Sequence, residues 1–158
     1  MKSKRQPVKR PSIELTARRK FLIYTILVST WSSGALWLVL HYFLRRRGDF
    51  GVEPNPLEFW MLALHGACAF AALWLAGWIW TTHIVPWWNG RRRRNSGIVL
   101  IAFVGALILS GYLLYYASGD AVRDWVGVIH WSIGLAAAIP MTIHALRSWR
   151  YRASSAPR

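Results

Sequence analysis

Five histidines are the residues of this sequence whose type and spacing could do chemistry. They are His41, His65, His83, His130 and His144, and all of them lie in or at the ends of long apolar runs. Ionisable side chains at membrane depth are unfavourable, and they usually have a partner or a function. No Asp or Glu lies deep inside these runs to pair with them. A neutral imidazole without an acidic partner is well suited to bind a metal ion or a haem iron.

The spacing of four of these histidines places them as two pairs, each on one face of a helix. The 18 positions from His65 to His83 make about five whole helical turns. The 14 positions from His130 to His144 fall about 40° short of whole turns. The rises of roughly 27 Å and roughly 21 Å differ, so a relative tilt of the two helices or differing ligand angles would have to absorb about 6 Å.

Four apolar segments are long enough to hold these side chains across a membrane. A spanning helix needs roughly 20 mostly apolar residues. Lipid offers the backbone no hydrogen-bond partners, so segments of this length have to be helices. The predicted helices cover about residues 21–44, 57–85, 98–117 and 125–146. We therefore predict an all-α integral membrane protein, a four-helix transmembrane bundle over residues 21–147, whose last helix is kinked by Pro140.

Positive charge is concentrated in short bursts between the apolar runs. The chain carries 20 Lys and Arg against 6 Asp and Glu, and its formal net charge is +14. A soluble nucleic-acid-binding protein would spread its basic residues through its helices, so we expect no nucleic-acid partner. Most of the charge lies in two basic tails, at residues 1–20 and 148–158, and in the loop at residues 91–94. The bias predicts that both termini are cytoplasmic. The first tail is expected to be disordered and attracted to lipid.

With this orientation, the second and fourth helices both run from the outer to the inner face. His65 is then level with His130 near the outer face, and His83 is level with His144 near the inner face. Two haem irons, each held by two histidines, are the simplest use of this geometry. His41 lies at outer depth and is an alternative to His65, and whether one haem binds or two depends on His83. The other interpretation is a haem-free membrane scaffold or assembly subunit whose histidines only bond between helices.

Three stretches on the last three helices carry a resemblance to a known family. They are His65-Gly66 with His83, Ser110-Gly111-Tyr112-Leu113-Leu114-Tyr115-Tyr116, and His130-Trp131-x-x-Gly134 with His144. Over about residues 59–146 the chain resembles the small bacterial di-haem b-type membrane cytochromes. These comprise the cytochrome b561-like group and the related cytochromes associated with flavinylated electron-transfer proteins.

The resemblance implies two b haems with His65, His83, His130 and His144 as axial ligands. The chain departs from the family pattern in its first helix. Members of the family have a histidine early in that helix that serves as an inner haem ligand, and this chain has none there, so His83 would take that role. The expected function is electron transfer between membrane quinone and a periplasmic flavoprotein or c-type cytochrome. The protein would be a multi-pass component of the bacterial inner membrane, in contact with lipid and able to form oligomers. We expect a non-catalytic subunit of a larger oxidoreductase system, because doubly ligated iron has no open position.

Overall fold

The computed structural model describes residues 16–49, 51–89 and 95–154, and these residues are mostly helical. Residues 1–15 of the predicted first tail, residues 155–158 of the predicted second tail, and the basic loop at 91–94 lie outside the described residues. The helices are α1 (Ala17–Phe43), α2 (Leu57–Ile79), α3 (Val85–Asn89), α4 (Asn95–Tyr116), α5 (Asp120–Ala136) and α6 (Ala138–Ser154). A π-helical turn, Trp80–Ile84, joins α2 to α3, and two short strands, β1 (Arg46–Gly48) and β2 (Gly51–Glu53), follow α1.

Four helical spans are long and apolar enough to cross a membrane, as predicted. They are Ala17–Phe43, Leu57–Ile84, Asn95–Tyr116 and Asp120–Arg147, here called the first to fourth spans. Large apolar side chains cover their outer surface; Phe70, for example, is 77% exposed. A continuous apolar surface of this size is not stable in water and fits lipid instead. The structure therefore has the character of a multi-pass membrane protein.

The spans pack as two antiparallel hairpins. α1 lies along α2, and α4 lies along α5; smaller contacts join α1 to α5 and α4 to α6. We call the end of the bundle where α1 and α4 finish the ribbon end, because it carries β1 and β2. The opposite end, where α1 and α4 begin, is the terminus end. The second and fourth spans both run from the ribbon end to the terminus end, which is the parallel arrangement predicted for them.

Several helix ends differ from the predicted boundaries. The first span begins at Ala17, four residues before the predicted start, because the Thr16 hydroxyl accepts a hydrogen bond from the backbone N–H of Arg19 (3.4 Å) and caps the helix. The fourth span begins at Asp120, before the predicted start at about residue 125. The acidic side chain of Asp120 in the first turn interacts favourably with the helix dipole. α6 extends to Ser154 and takes in part of the predicted C-terminal tail.

The chain is mostly helical, as predicted, but the loop that follows α1 contains a short strand pair that the all-α prediction did not include. β1 and β2 pair antiparallel there, with Arg46 opposite Glu53 and Gly48 opposite Gly51. An arginine directly across from a glutamate favours this register. Gly51 has a φ of 125°, a conformation that glycine adopts without the steric penalty of a side chain. The Arg46–Glu53 pair and Gly51 are weak signals in strands of three residues. A prediction based on long apolar runs therefore did not include this ribbon.

The second predicted helix is not uniform. The backbone N–H of Val85 bonds to the carbonyl of Trp80, five residues earlier, which closes the π-helical turn. Pro86 explains this distortion: it has no N–H to donate to the carbonyl of Thr82, and its ring crowds that carbonyl. His83 lies inside the π-helical turn.

The fourth span is interrupted where Pro140 predicted a disturbance. α5 ends at Ala136, and α6 begins at Ala138. Pro140 cannot donate to the carbonyl of Ala136, so one helical hydrogen bond is absent at this point. The interruption separates His130, which lies on α5, from His144, which lies on α6.

Candidate functional site

Two pairs of histidine rings face each other between the second and fourth spans. The ring centroids of His65 and His130 are 6.4 Å apart, and the ring planes are at 87°. Those of His83 and His144 are 6.5 Å apart, also at 87°. The pairing predicted from helical spacing is therefore the pairing found, near the ribbon end and near the terminus end. We call these the ribbon-end pair and the terminus-end pair.

The distance from the first to the second histidine differs between the two spans, but this does not prevent His83 from meeting His144. Between His65 and His83 the chain enters the π-helical turn, in which each turn takes up more residues than in an α-helix. The second span is therefore shorter there than an ideal helix would be. Single π-helical turns of this kind occur frequently at functional sites. This one places His83 opposite His144.

A backbone carbonyl settles which nitrogen of His65 carries the proton. Nδ1 of His65 lies 2.9 Å from the carbonyl oxygen of Thr30 on α1. A carbonyl oxygen only accepts hydrogen bonds, so Nδ1 donates and the lone pair is on Nε2. The hydroxyl of Ser33 is also near, at 3.4 Å from Nδ1. A histidine whose Nδ1–H is held by an acceptor in this way has the usual arrangement of a metal ligand that binds through Nε2.

A serine fixes His130 in the same way. Oγ of Ser110 lies 2.8 Å from Nδ1 of His130. The hydroxyl has one proton, which it donates to the carbonyl of Ala106 at 2.7 Å. It therefore accepts the hydrogen bond from Nδ1–H, and His130 also carries its lone pair on Nε2. Both members of the ribbon-end pair thus have a metal-binding nitrogen available.

Ser33 and Ser110 are the buried polar side chains in the part of the chain that the structure describes, with 2% and 6% of their surfaces exposed. Each belongs to the first helix of a hairpin and contacts the ribbon-end histidine on the second helix. Sequence analysis gave neither serine a role. The available signal was a Ser-Gly dipeptide, Ser33-Gly34 and Ser110-Gly111, inside an otherwise apolar helix.

The glycines of these two dipeptides lie against the histidine rings, and at Gly34 a side chain would not fit. A Cβ added at Gly34 would lie 2.9 Å from Cε1 of His65, which is closer than real Cβ contacts allow. A Cβ added at Gly111 would lie 3.5 Å from Cε1 of His130, an ordinary contact. The ribbon-end pair is therefore built from two similar halves, each with a Ser-Gly cradle on one helix and a histidine on the next.

The terminus-end pair has a looser set of contacts. Oγ of Ser96, near the start of α4, lies 3.3 Å from Nδ1 of His144. The third span thus supplies a serine to both histidines of the fourth span, Ser110 to one and Ser96 to the other. Both rings of this pair, those of His83 and His144, are half-buried.

The separation of the rings fits a single iron between each pair. An imidazole nitrogen binds a first-row metal at roughly 2 Å, and the ring centre is about 1 Å farther away. Two rings on opposite sides of one metal therefore have centroids about 6 Å apart, close to the 6.4 Å and 6.5 Å found. Within the described residues, no group of three or more His, Cys, Asp or Glu side chains could hold a bare metal ion. A haem needs only the two axial ligands, since the macrocycle supplies the others.

Trp131, which follows His130 directly in the sequence, carries a further polar group. Its Nε1–H is buried and has no hydrogen-bond partner among the residues described. Burying a donor without a partner is unfavourable by about 1–3 kcal/mol. A bound group with an acceptor, such as a carboxylate on a macrocycle, would satisfy it. The orphaned donor and the Ser-Gly cradles together make a haem a chemically reasonable occupant.

His41 is not part of either pair. Its Nδ1 lies 3.0 Å from Oε2 of Glu58, and its ring stacks on Trp37 with centroids 4.7 Å apart. The ring that faces His130 is that of His65. The geometry therefore favours His65 over the alternative ligand considered from the sequence.

No family model, curated protein or solved structure matches this chain. The resemblance to di-haem b-type cytochromes accordingly remains a prediction. Its support lies in the four histidines, their pairing, and the hydrogen bonds that orient three of them.

Proposed function

We propose that this protein is a transmembrane b-type cytochrome that carries electrons through two bis-histidine haems. The observation that carries the proposal is the presence of two imidazole pairs with the same spacing and the same angle, 6.4 Å and 87°, and 6.5 Å and 87°. His65 and His130 would hold one haem iron, and His83 and His144 would hold the other. Haem, when bound, supplies reversible one-electron transfer.

The two sites lie at different depths of the bundle. Along the fourth span, the 14 positions from His130 to His144 correspond to a rise of roughly 21 Å. This is more than half of a hydrocarbon core about 30 Å thick. Two redox centres with this separation provide a path from one membrane face toward the other. Because both axial positions would be taken, the protein acts as a carrier and not as a catalyst at the iron.

The residues around each pair hold the ligands ready. The Thr30 carbonyl and the Ser110 hydroxyl accept from Nδ1–H of His65 and His130, and this leaves the lone pair on Nε2 of each ring. Acceptors on Nδ1–H also raise the basicity of the ligating nitrogen. In a membrane, lipid and the apolar side chains of the spans would keep water away from the ligand bonds. These features suit an electron carrier, which has to change charge without changing its ligands.

The charge distribution supports an orientation with both termini in the cytoplasm. The proposed location is the bacterial inner membrane. The ribbon end then faces the periplasm. The proposed redox partners are membrane quinone on one side of the reaction and a periplasmic flavoprotein or c-type cytochrome on the other. In this arrangement the chain is the membrane-anchor cytochrome of a larger oxidoreductase system, in contact with lipid and able to form oligomers.

Haem counting with paired variants tests the proposal. The full chain, purified from haem-replete cells, should hold two b haems by pyridine haemochrome assay. His65→Ala and His130→Ala should each remove one haem, and the double variant should also remove only one, because both act at one site. His65→Ala with His144→Ala should remove both. His41→Ala is the matched control and should keep two.

The alternative is a haem-free scaffold whose histidines only join helices. In that case the purified protein would show no Soret absorbance and no change on reduction, in any variant. This result would overturn the electron-transfer proposal. A native protein with one haem would restrict it to one pair, and the single variants would show which pair that is.

A further inference from the structure

A histidine–carboxylate pair at the ribbon end has no part in the two ligand sites. Nδ1 of His41 lies 3.0 Å from Oε2 of Glu58. An ionised carboxylate only accepts hydrogen bonds, so Nδ1 carries the proton and Nε2 carries the lone pair. The other carboxylate oxygen, Oε1, accepts a hydrogen bond from the backbone N–H of Asn55 at 3.1 Å. The carboxylate is therefore held in place, and it in turn orients the imidazole.

The surroundings of His41 leave Nε2 as its reactive atom. Trp37 covers one face of the ring, with planes at 14°, and Tyr42 packs against it with planes at 90°. The side chain is nevertheless 30% exposed, while that of Glu58 is 12% exposed. No hydrogen bond to Nε2 is formed among the described residues. A base with one nitrogen oriented by a carboxylate and the other open is arranged to take a proton.

The pair lies directly beyond the ribbon-end histidines. Glu58 precedes His65 by seven positions on the second span, and His41 follows Gly34 by seven positions on the first span. Seven positions are about two helical turns, or a rise of about 10 Å. Glu58 therefore lies on the same helix face as His65, and His41 lies on the same face as Gly34. Gly34 is the residue against which the His65 ring packs. A molecule at His41 would therefore be near the ribbon-end site.

We propose that His41 and Glu58 form a proton-accepting site for the headgroup of a membrane hydroquinone. This inference rests on the proposed function, because the electrons need the haem held by His65 and His130. The headgroup hydroxyl would donate its hydrogen bond to Nε2 of His41. The site would prefer the hydroquinone to the quinone, since a quinone has no O–H to donate.

The oxidation balances with two ferric haems as the oxidant. In the first step one O–H bond would break, its proton would bond to Nε2 of His41, and one electron would pass to the haem that His65 and His130 would hold. The imidazolium formed is stabilised by the carboxylate of Glu58; Arg45, whose Nε bonds to the His41 carbonyl at 3.0 Å, is the neighbouring cation. His41 then releases its proton to the adjoining water. The second proton and second electron would follow the same routes once the first electron had moved to the haem that His83 and His144 would hold.

Reduction kinetics of the haem-loaded full chain in nanodiscs test this site. The rate of haem reduction by duroquinol should fall about 100-fold in His41→Gln, which is within the usual contribution of a general base. Glu58→Gln should lower it about 10-fold. Both variants should keep the native haem content and the native rate of reduction by dithionite, which needs no proton acceptor. Arg47→Gln is the matched control at the same end and should behave like the native protein.

Binding can be measured apart from turnover in the dithionite-reduced protein, where duroquinol has no oxidant. The reduced protein, labelled with ¹⁵N-histidine, should show a shift of the His41 Nε2 resonance in its NMR spectrum when duroquinol is added. The dimethyl ether of duroquinol, which lacks O–H groups, should cause no such shift. An unchanged duroquinol rate in His41→Gln, or an unmoved resonance, would show that the pair only fastens two helices together. Absence of haem from the native protein would instead refute the proposed function itself.

Discussion

Ser110 accepts a hydrogen bond from Nδ1–H of His130 across 2.8 Å, and it can do so because its own proton is donated to Ala106. The two residues lie on different spans, and the contact determines which imidazole nitrogen is free. Ser110 is therefore the simplest position at which to alter the ribbon-end site by substitution. A change at Ser110 alters the electronic character of a proposed ligand without removing it.

Ser110→Ala should raise the midpoint potential of one haem by roughly 60 mV. This corresponds to a tenfold change in the ratio of the affinities with which His130 binds ferric and ferrous iron. Loss of the acceptor makes Nε2 of His130 less basic, and a less basic ligand stabilises the ferric state less. Potentiometric titration of both haems checks the direction. An unchanged potential would show that the Ser110 contact does not influence a ligand.

Ser33→Ala should shift the same haem in the same direction, but less. Nδ1 of His65 keeps its hydrogen bond to the Thr30 carbonyl at 2.9 Å, so only the weaker contact at 3.4 Å is lost. Ser32→Ala is the matched control, because the Ser32 hydroxyl bonds to the Ser29 carbonyl within its own helix. A larger shift from Ser33→Ala than from Ser110→Ala would contradict this ranking of the two acceptors.

Gly34→Ala should remove the ribbon-end haem. The added methyl group would lie 2.9 Å from the His65 ring, which cannot move without leaving His130. Gly111→Ala, with 3.5 Å of space, should keep most of its haem. Gly105→Ala has nothing within 4 Å of the new Cβ and serves as the control. The measurement is haem per chain, and equal contents in all three variants would count against the tight fit at Gly34.

Pro86→Ala should disturb the terminus-end site alone. A residue with an N–H can donate to the Thr82 carbonyl, so the π-helical turn is free to relax to an α-helix and to reorient His83. The expected result is loss of one haem, or a change in the potential of one haem only. If the haem is lost, adding His83→Ala to this variant should cause no further loss; if only its potential changes, adding His83→Ala should remove that same haem. Pro54→Ala, in the ribbon-end loop, is the control, and a shift of both haems in Pro86→Ala would argue against a local role.

The sequence alone predicted the spans and the partners of the four histidines. Apolar length marks a membrane helix whatever its neighbours are, and the step from His130 to His144 depends only on the helical repeat. The alternation of spans then made the second and fourth parallel, so His65 was expected to be level with His130, although the sequence left His41 as an alternative. Pro140 likewise signalled an interruption of the fourth span by its chemistry alone, since proline lacks an N–H wherever it occurs.

The tertiary structure decided which side chains surround those histidines. Ser33 and Thr30 reach His65, and Glu58 reaches His41, only because α1 is rotated against α2 in one particular way. That rotation results from packing along the whole hairpin, and no periodicity within a single helix encodes it. The same is true of the π-helical turn at His83, where the proline was visible but the direction of the displaced ring depended on the neighbouring span. Helical repeat and hydropathy are local properties, whereas hydrogen bonds between helices depend on how the helices pack.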